Sequence, residues 1–153
     1  MTTTTNTVID PNQNERIIPI GKLWQAGLLA AVSASFANLV FFWVTKILFA
    51  MSYIIPMGGP SGPLEPIPAG VIILFNVIPA IGATILLALL GKYVARPIRL
   101  FWIISAVIFA ISFIFPITLP ATVATSTKIG LSLMHIIAWP AIAVVLTKQG
   151  REE

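Results

Sequence analysis

Four long apolar stretches constrain this chain more than any other feature. They lie at about 23–49, 67–90, 100–115 and 129–146, and a charged or proline-containing break follows each. A helix needs about 20 mostly apolar residues to cross a hydrocarbon core of about 30 Å. Inside lipid only helices and closed barrels satisfy every backbone polar group. The strict alternation of barrel strands is absent, so the spans are expected to be helices. Short connections favour neighbours that run in opposite directions. The expected fold is therefore an all-α membrane protein, a four-transmembrane-helix antiparallel up-down bundle. Of the 153 residues 58% are hydrophobic and 9% charged, against roughly 25% charged in a soluble domain. A water-soluble fold of this size would lack the polar surface to cover itself.

Residues 1–22 read as a disordered cytoplasmic tail, since Thr2 to Thr5, Asn6, Asp10, Pro11, Asn12, Gln13 and Asn14 cannot bury enough surface to order themselves. The transmembrane domain is expected over 23–147 and a short cytoplasmic tail over 148–153. Val32, Ser33 and Ala34 form a small-residue pattern that a leader peptidase accepts, but the apolar run continues through Phe41, Phe42 and Trp43. A retained first span is expected instead.

Lysine and arginine set the orientation. Arg16, Lys22, Lys92, Arg96, Arg99, Lys148 and Arg151 fall on one side, and only Lys46 and Lys128 on the other. The positive-inside rule places both termini and the middle loop in the cytoplasm of a multi-pass protein of the cell membrane (plasma or inner). Trp24, Tyr93 and Trp102 are then expected at the inner interface, and Trp43 and Tyr53 at the outer one. The outer loop carries Pro56, Gly58, Gly59, Pro60, Gly62, Pro63, Pro66, Pro68 and Gly70. Proline lacks a donor and glycine loosens its own backbone, so neither helix nor strand is expected there. The loop reads either as a stiff surface connector or as a cap over the bundle mouth.

Small residues let membrane helices approach closely. Ala26, Ala30 and Ala34 share one face of the first span with Asn38, and Ala80, Thr84 and Ala88 share one face of the second with Asn76. These two faces are expected to meet. Asn38, Asn76, Ser112 and His135 fall at a similar level in the outer half of the membrane, one on each span, and form a candidate polar cluster. Polar side chains at that depth should face the bundle interior and find partners. Pro79 and Pro140 are expected to kink the second and fourth spans.

Several chemistries are disfavoured. There is no cysteine, which removes disulfides and thiolate sites. No metal site is expected, because zinc wants three or four ligands and no span carries an acid. With a single histidine, His135, a haem held by two histidines needs two copies of the chain. The cations are too dispersed for nucleic acid. No phosphate loop, dinucleotide fingerprint or catalytic acid pair appears, so no enzyme activity and no cofactor are expected.

The stretch Arg96-Pro97, then Phe101, Ser112 and Pro116, then Leu133-Met134-His135, together with the alanine-rich run Ala26 to Asn38, resembles a family of small four-span bacterial membrane proteins catalogued only as a domain of unknown function. The resemblance implies four helices and a bacterial inner membrane, and it carries over no catalytic role. Three functional classes fit the residues. The first is a structural or accessory subunit working with the lipid bilayer and either a homo-oligomeric or another membrane-protein partner. The second is a binder or conduit for a small neutral or hydrophobic molecule such as a quinone or lipid, and the third is a haem-binding homodimer through His135.

Overall fold

A computed structural model of the chain describes residues 19–59 and 61–150. Residues 1–18 and 151–153, which hold most of the two expected tails, lie outside the described residues. In chain order the elements are α1 (Ile20–Leu48), β1 (Ile54–Pro56), β2 (Leu64–Pro66), α2 (Ala69–Tyr93), α3 (Pro97–Ser112), α4 (Ile114–Thr118) and α5 (Thr125–Gln149). Four helical spans are long and apolar enough to cross a membrane: α1, α2, the run Pro97–Thr118 that joins α3 to α4, and α5. The protein is a four-helix membrane bundle.

Three helices extend beyond their apolar stretches. Lys22, Lys92 and Lys148 sit in terminal turns outside the oily segment, where lysine stems can lie along apolar surface and keep their charge in water. The third span is broken instead. Pro116 has no N–H, and its ring pushes against the carbonyl of Ser112, so the helix stops at Ser112 and restarts at Ile114. Pro97 opens α3 in the first turn, where its missing donor has no intrahelical acceptor to lose.

Helix α1 packs on α2 and α5, α3 bridges α2 and α5, and α2 also touches α5. The side chains are distributed by size. Ala30, Ala34 and Ala80 are fully buried, whereas Leu28 and Phe36 of α1 are 68% and 69% exposed. A soluble monomer does not carry apolar patches of this extent; on this bundle they face lipid. Lipid tails are as apolar as leucine, so helix association here comes from close packing and interhelical hydrogen bonds.

The Pro/Gly loop contains β1 and β2, contrary to the expectation that no strand would form there. β1 and β2 pair antiparallel with Ile55 opposite Glu65. Pro56 and Pro66 are tolerated because both strands of a two-stranded ribbon are edges, where a missing donor breaks no interior ladder. Bonds from Met57 N to Pro63 O and from Ile67 N to Tyr53 O, both 2.9 Å, extend the ribbon. Gly58 and Gly59 have positive φ, 81° and 135°, values that cost glycine little. Ile55 and Ile67 are buried against Phe42, Ile72, Leu131 and Met134, so the hairpin is a cap on the bundle rather than a surface connector.

Tyr53 also departs from its expected place in the outer aromatic belt. It is 1% exposed. Its hydroxyl lies 2.7 Å from Thr45 Oγ1, and its ring centroid is 4.9 Å from that of Phe42. The side chain fits because Gly130 of α5 has no Cβ; one there would sit 2.7 Å from the phenol oxygen. Burial pushes the Tyr53 phenol above its ordinary range, with the Thr45 bond pulling the other way. The phenol therefore stays neutral and able to donate.

Candidate functional site

The expected rows on the first two spans meet. Asn38 Nδ2 donates to Asn76 Oδ1 at 2.9 Å, and Asn76 Nδ2 donates to the Ile72 carbonyl of its own helix at 2.7 Å. Both residues are buried. Further along the seam, Gly27 presses on the Thr84 side chain so closely that a Cβ at position 27 would overlap the Thr84 hydroxyl. Thr84 Oγ1 bonds its own Ala80 carbonyl at 2.7 Å, which satisfies the hydroxyl without spreading the helices.

Ser112 and His135, the other two members of the candidate cluster, form no hydrogen bond to the asparagines. Ser112 Oγ donates to Phe109 O at 2.6 Å, and His135 Nδ1 lies 2.7 Å from Leu131 O. A carbonyl can only accept, so Nδ1 carries the proton and Nε2 carries the lone pair in the neutral ring. Both residues are half-buried. A serine hydroxyl on a helix reaches a carbonyl one turn back, so local geometry competes with the interhelical partner that matching depth suggests.

Pro79 and Pro140 lie within continuous α2 and α5, and both rings are exposed on the lipid side. Each removes one backbone bond, to the carbonyls of Phe75 and Ile136. Those residues are 52% and 48% exposed, so the loosened backbone faces acyl chains rather than the asparagine pair.

An aromatic seam fills the gap between α3 and α5. Trp139 stacks on Phe109 at 4.8 Å between centroids and meets Trp102 edge-on at 5.6 Å. Phe113 packs on Phe109 at 5.0 Å and lies 6.1 Å from the His135 ring. Among the described residues four buried polar atoms in the spans have no hydrogen-bond partner: Ser35 Oγ, Asn38 Oδ1, Thr127 Oγ1 and Trp139 Nε1. Among the described residues no group of three His, Cys, Asp or Glu is placed to hold a metal.

Four apolar spans, a small-residue seam and the stretch from Arg96 to His135 now stand in one fold. The chain belongs to a family of unknown function, DUF6069. The match runs over residues 19–152, and so takes in all four spans and the hairpin. No curated protein and no solved structure matches the chain. Gly27, Gly130 and Tyr53 are central to the packing of this DUF6069 chain, and only Tyr53 figured in the sequence reading, at a different place. Gly27 falls outside the four-residue alanine row, but it lies one position from Ala26 and three from Ala30; widening the row to all small residues would have found it.

The asparagine bond is expected to stabilise the fold. Asn76→Leu leaves both ends of the Asn38 amide without partners and should cost about 1–3 kcal/mol. The coupling between the two positions should be about 0.6–1.7 kcal/mol, the range for polar pairs in membrane bundles. Unfolding of N38L, N76L and the double variant in mild detergent measures it. Strictly additive losses would mean that the two amides do not stabilise each other.

Proposed function

We propose that the protein is a non-enzymatic accessory subunit of a membrane assembly, with both termini on the cytoplasmic side of the cell membrane. The observation that carries this reading is where the intramembrane polar groups are directed. Asn38 donates to Asn76 across the α1–α2 seam, while Asn76, Ser112 and His135 bond the Ile72, Phe109 and Leu131 carbonyls of their own helices. These groups are engaged within the chain, either joining α1 to α2 or closing on their own backbone. The span Pro97–Thr118 is the least covered by its own bundle, with Ile103, Val107 and Ile111 exposed along it. We assign it as the face for a partner helix. The orientation rests on the distribution of lysine and arginine.

One experiment tests both parts. The chain is purified in mild detergent through a C-terminal fluorescent protein that matures only in the cytoplasm, and co-purifying species are identified by mass spectrometry. Fluorescence and a partner in fixed ratio are expected, with crosslinks from residue 107. A dark but full-length fusion would overturn the orientation, and purification of the chain alone would overturn the accessory role.

A second reading, as a binder of a small neutral or hydrophobic molecule such as a quinone, is favoured by one observation. Trp139 Nε1 is a buried donor without an acceptor, one turn from His135 on the aromatic seam. A ligand carbonyl would satisfy the indole between flat rings. The same mass spectra report such a ligand, and W139F should abolish its retention. A haem shared by two copies through His135 Nε2 predicts a coloured protein, which an absorption spectrum checks.

A further inference from the structure

One end of the bundle concentrates positive charge, and no acidic side chain stands beside it among the described residues. The ends of three helices converge there: a Cβ on Gly150, just past α5, would lie 3.1 Å from Leu23 Cδ1 at the start of α1 and 3.4 Å from Leu87 Cδ2 near the end of α2. Around that meeting point sit Lys22 of α1, Lys92 of α2 and Lys148 of α5, together with Arg96 and Arg99 at the turn into α3. All five are exposed. The only acidic residue among the described residues is Glu65, in the hairpin that caps the opposite end. Lys92, Arg96 and Arg99 fall within eight positions, so the α2–α3 turn carries the densest part of the patch.

The surroundings indicate what kind of anion fits. Tyr93 is 72% exposed with Lys92 Nζ 5.2 Å above its ring, and Trp24, two positions beyond Lys22, is 47% exposed. Such aromatic rings settle at headgroup depth. Leu89, one turn deeper on α2, is 51% exposed to acyl chains. A ligand that meets these groups together has an anionic head, an interfacial glycerol region and hydrocarbon tails. Arginine suits the head, because its planar fork bonds a phosphate through two N–H groups at once. Cations at the opening of a helix also oppose its dipole, and the first turn of α3 has neither an acidic side chain nor a side-chain cap. An anion between Arg96 and Arg99 removes that conflict.

We propose that the patch formed by Lys92, Arg96 and Arg99, with Lys22 and Lys148 beside it, is a binding site for the headgroup of an anionic phospholipid. The site selects phosphatidylglycerol-like lipids over zwitterionic ones, because a choline or ethanolamine head brings a further cation beside these five, with no acid at this end among the described residues to receive it. It holds for either orientation of the chain, and it stands apart from the accessory role, since it requires no protein partner.

The test is native mass spectrometry of the full chain released from mixed micelles containing equal amounts of phosphatidylglycerol and phosphatidylcholine. Retained phosphatidylglycerol should exceed phosphatidylcholine. Each cation removed should reduce that preference about fivefold, as expected for basic residues at an anionic surface. K92Q, R96Q and R99Q are combined stepwise, with R96K/R99K as a charge-preserving partner and K46Q at the far end as a control. The proposal predicts the largest loss in the glutamine variants, partial retention in R96K/R99K, where the charge stays and the two-bond fork is lost, and no change in K46Q. Equal retention of the two lipids, or a preference that survives the triple glutamine variant, would overturn it. Full displacement of the lipid by millimolar inorganic phosphate would also overturn it, as evidence of a site for the free anion.

Discussion

Tyr53→Ala should lower the stability of the folded bundle by about 3–5 kcal/mol, the loss typical of emptying a large buried aromatic site. The effect is large because the ring does three things at once. It fills the notch left by Gly130, packs on Phe42, and closes the Thr45 hydroxyl at 2.7 Å. Its backbone is also held at φ 45°, with Ala50 nearby at φ 50°. A left-handed conformation at a bulky residue persists only where the surroundings enforce it, and with the ring removed that enforcement goes. Tyr53→Phe keeps the packing and loses only the hydroxyl bond, so it should cost about 1 kcal/mol. Reversible unfolding in detergent, followed by helical circular dichroism, separates the two variants. If Y53A stayed within 1 kcal/mol of the parent chain, the hairpin would be an ornament on the bundle and not its cap.

Gly27→Ala should destabilise by about 1–3 kcal/mol, the usual cost of overfilling a packed core, and Gly27→Leu by more. The added methyl overlaps the Thr84 hydroxyl, so α1 and α2 must separate. The asparagine bond eleven residues along α1, roughly 16 Å at 1.5 Å per residue, then stretches as well. Thr84→Ala by itself should be mild, because the hydroxyl it removes is bonded only within its own helix. In G27A/T84A the clashing atoms are gone, leaving only the residue 84 Cβ at 3.1 Å, and most of the stability should return. A double variant no better than G27A would show that the glycine is needed for some other reason.

The spans were legible because lipid imposes a simple demand, a long apolar run, and the runs at 23–49 and 67–90 need no tertiary information to be seen. The α1–α2 seam was legible for a similar reason: Ala26, Ala30, Ala34 and Asn38 share a face by helical period alone, as do Asn76, Ala80 and Thr84. The hairpin was not. Its strands form because Ile55 and Ile67 find buried positions on the bundle, and proline content read locally argues the other way. Tyr53 belongs by residue type at the interface; what draws it inward is a space on α5, more than seventy positions away in the chain. The polar cluster was half legible. Depth along a helix identifies Asn38, Asn76, Ser112 and His135 as neighbours in height, but whether a side chain turns across to another helix or back to its own carbonyl depends on rotation about the helix axis and on side-chain length. The asparagines cross, whereas the serine and histidine fold back.

The placement of the smallest side chains at the centre has a practical consequence for mutagenesis. Truncation has almost nothing to remove from a seam built of Gly27, Ala30, Ala34 and Ala80, so an alanine scan would pass over these positions and report them as silent. Damage there comes only through growth. A scan with leucine or phenylalanine would therefore draw the interior of this protein as a line of intolerant sites, while the bulky residues around the outside would accept most oily replacements.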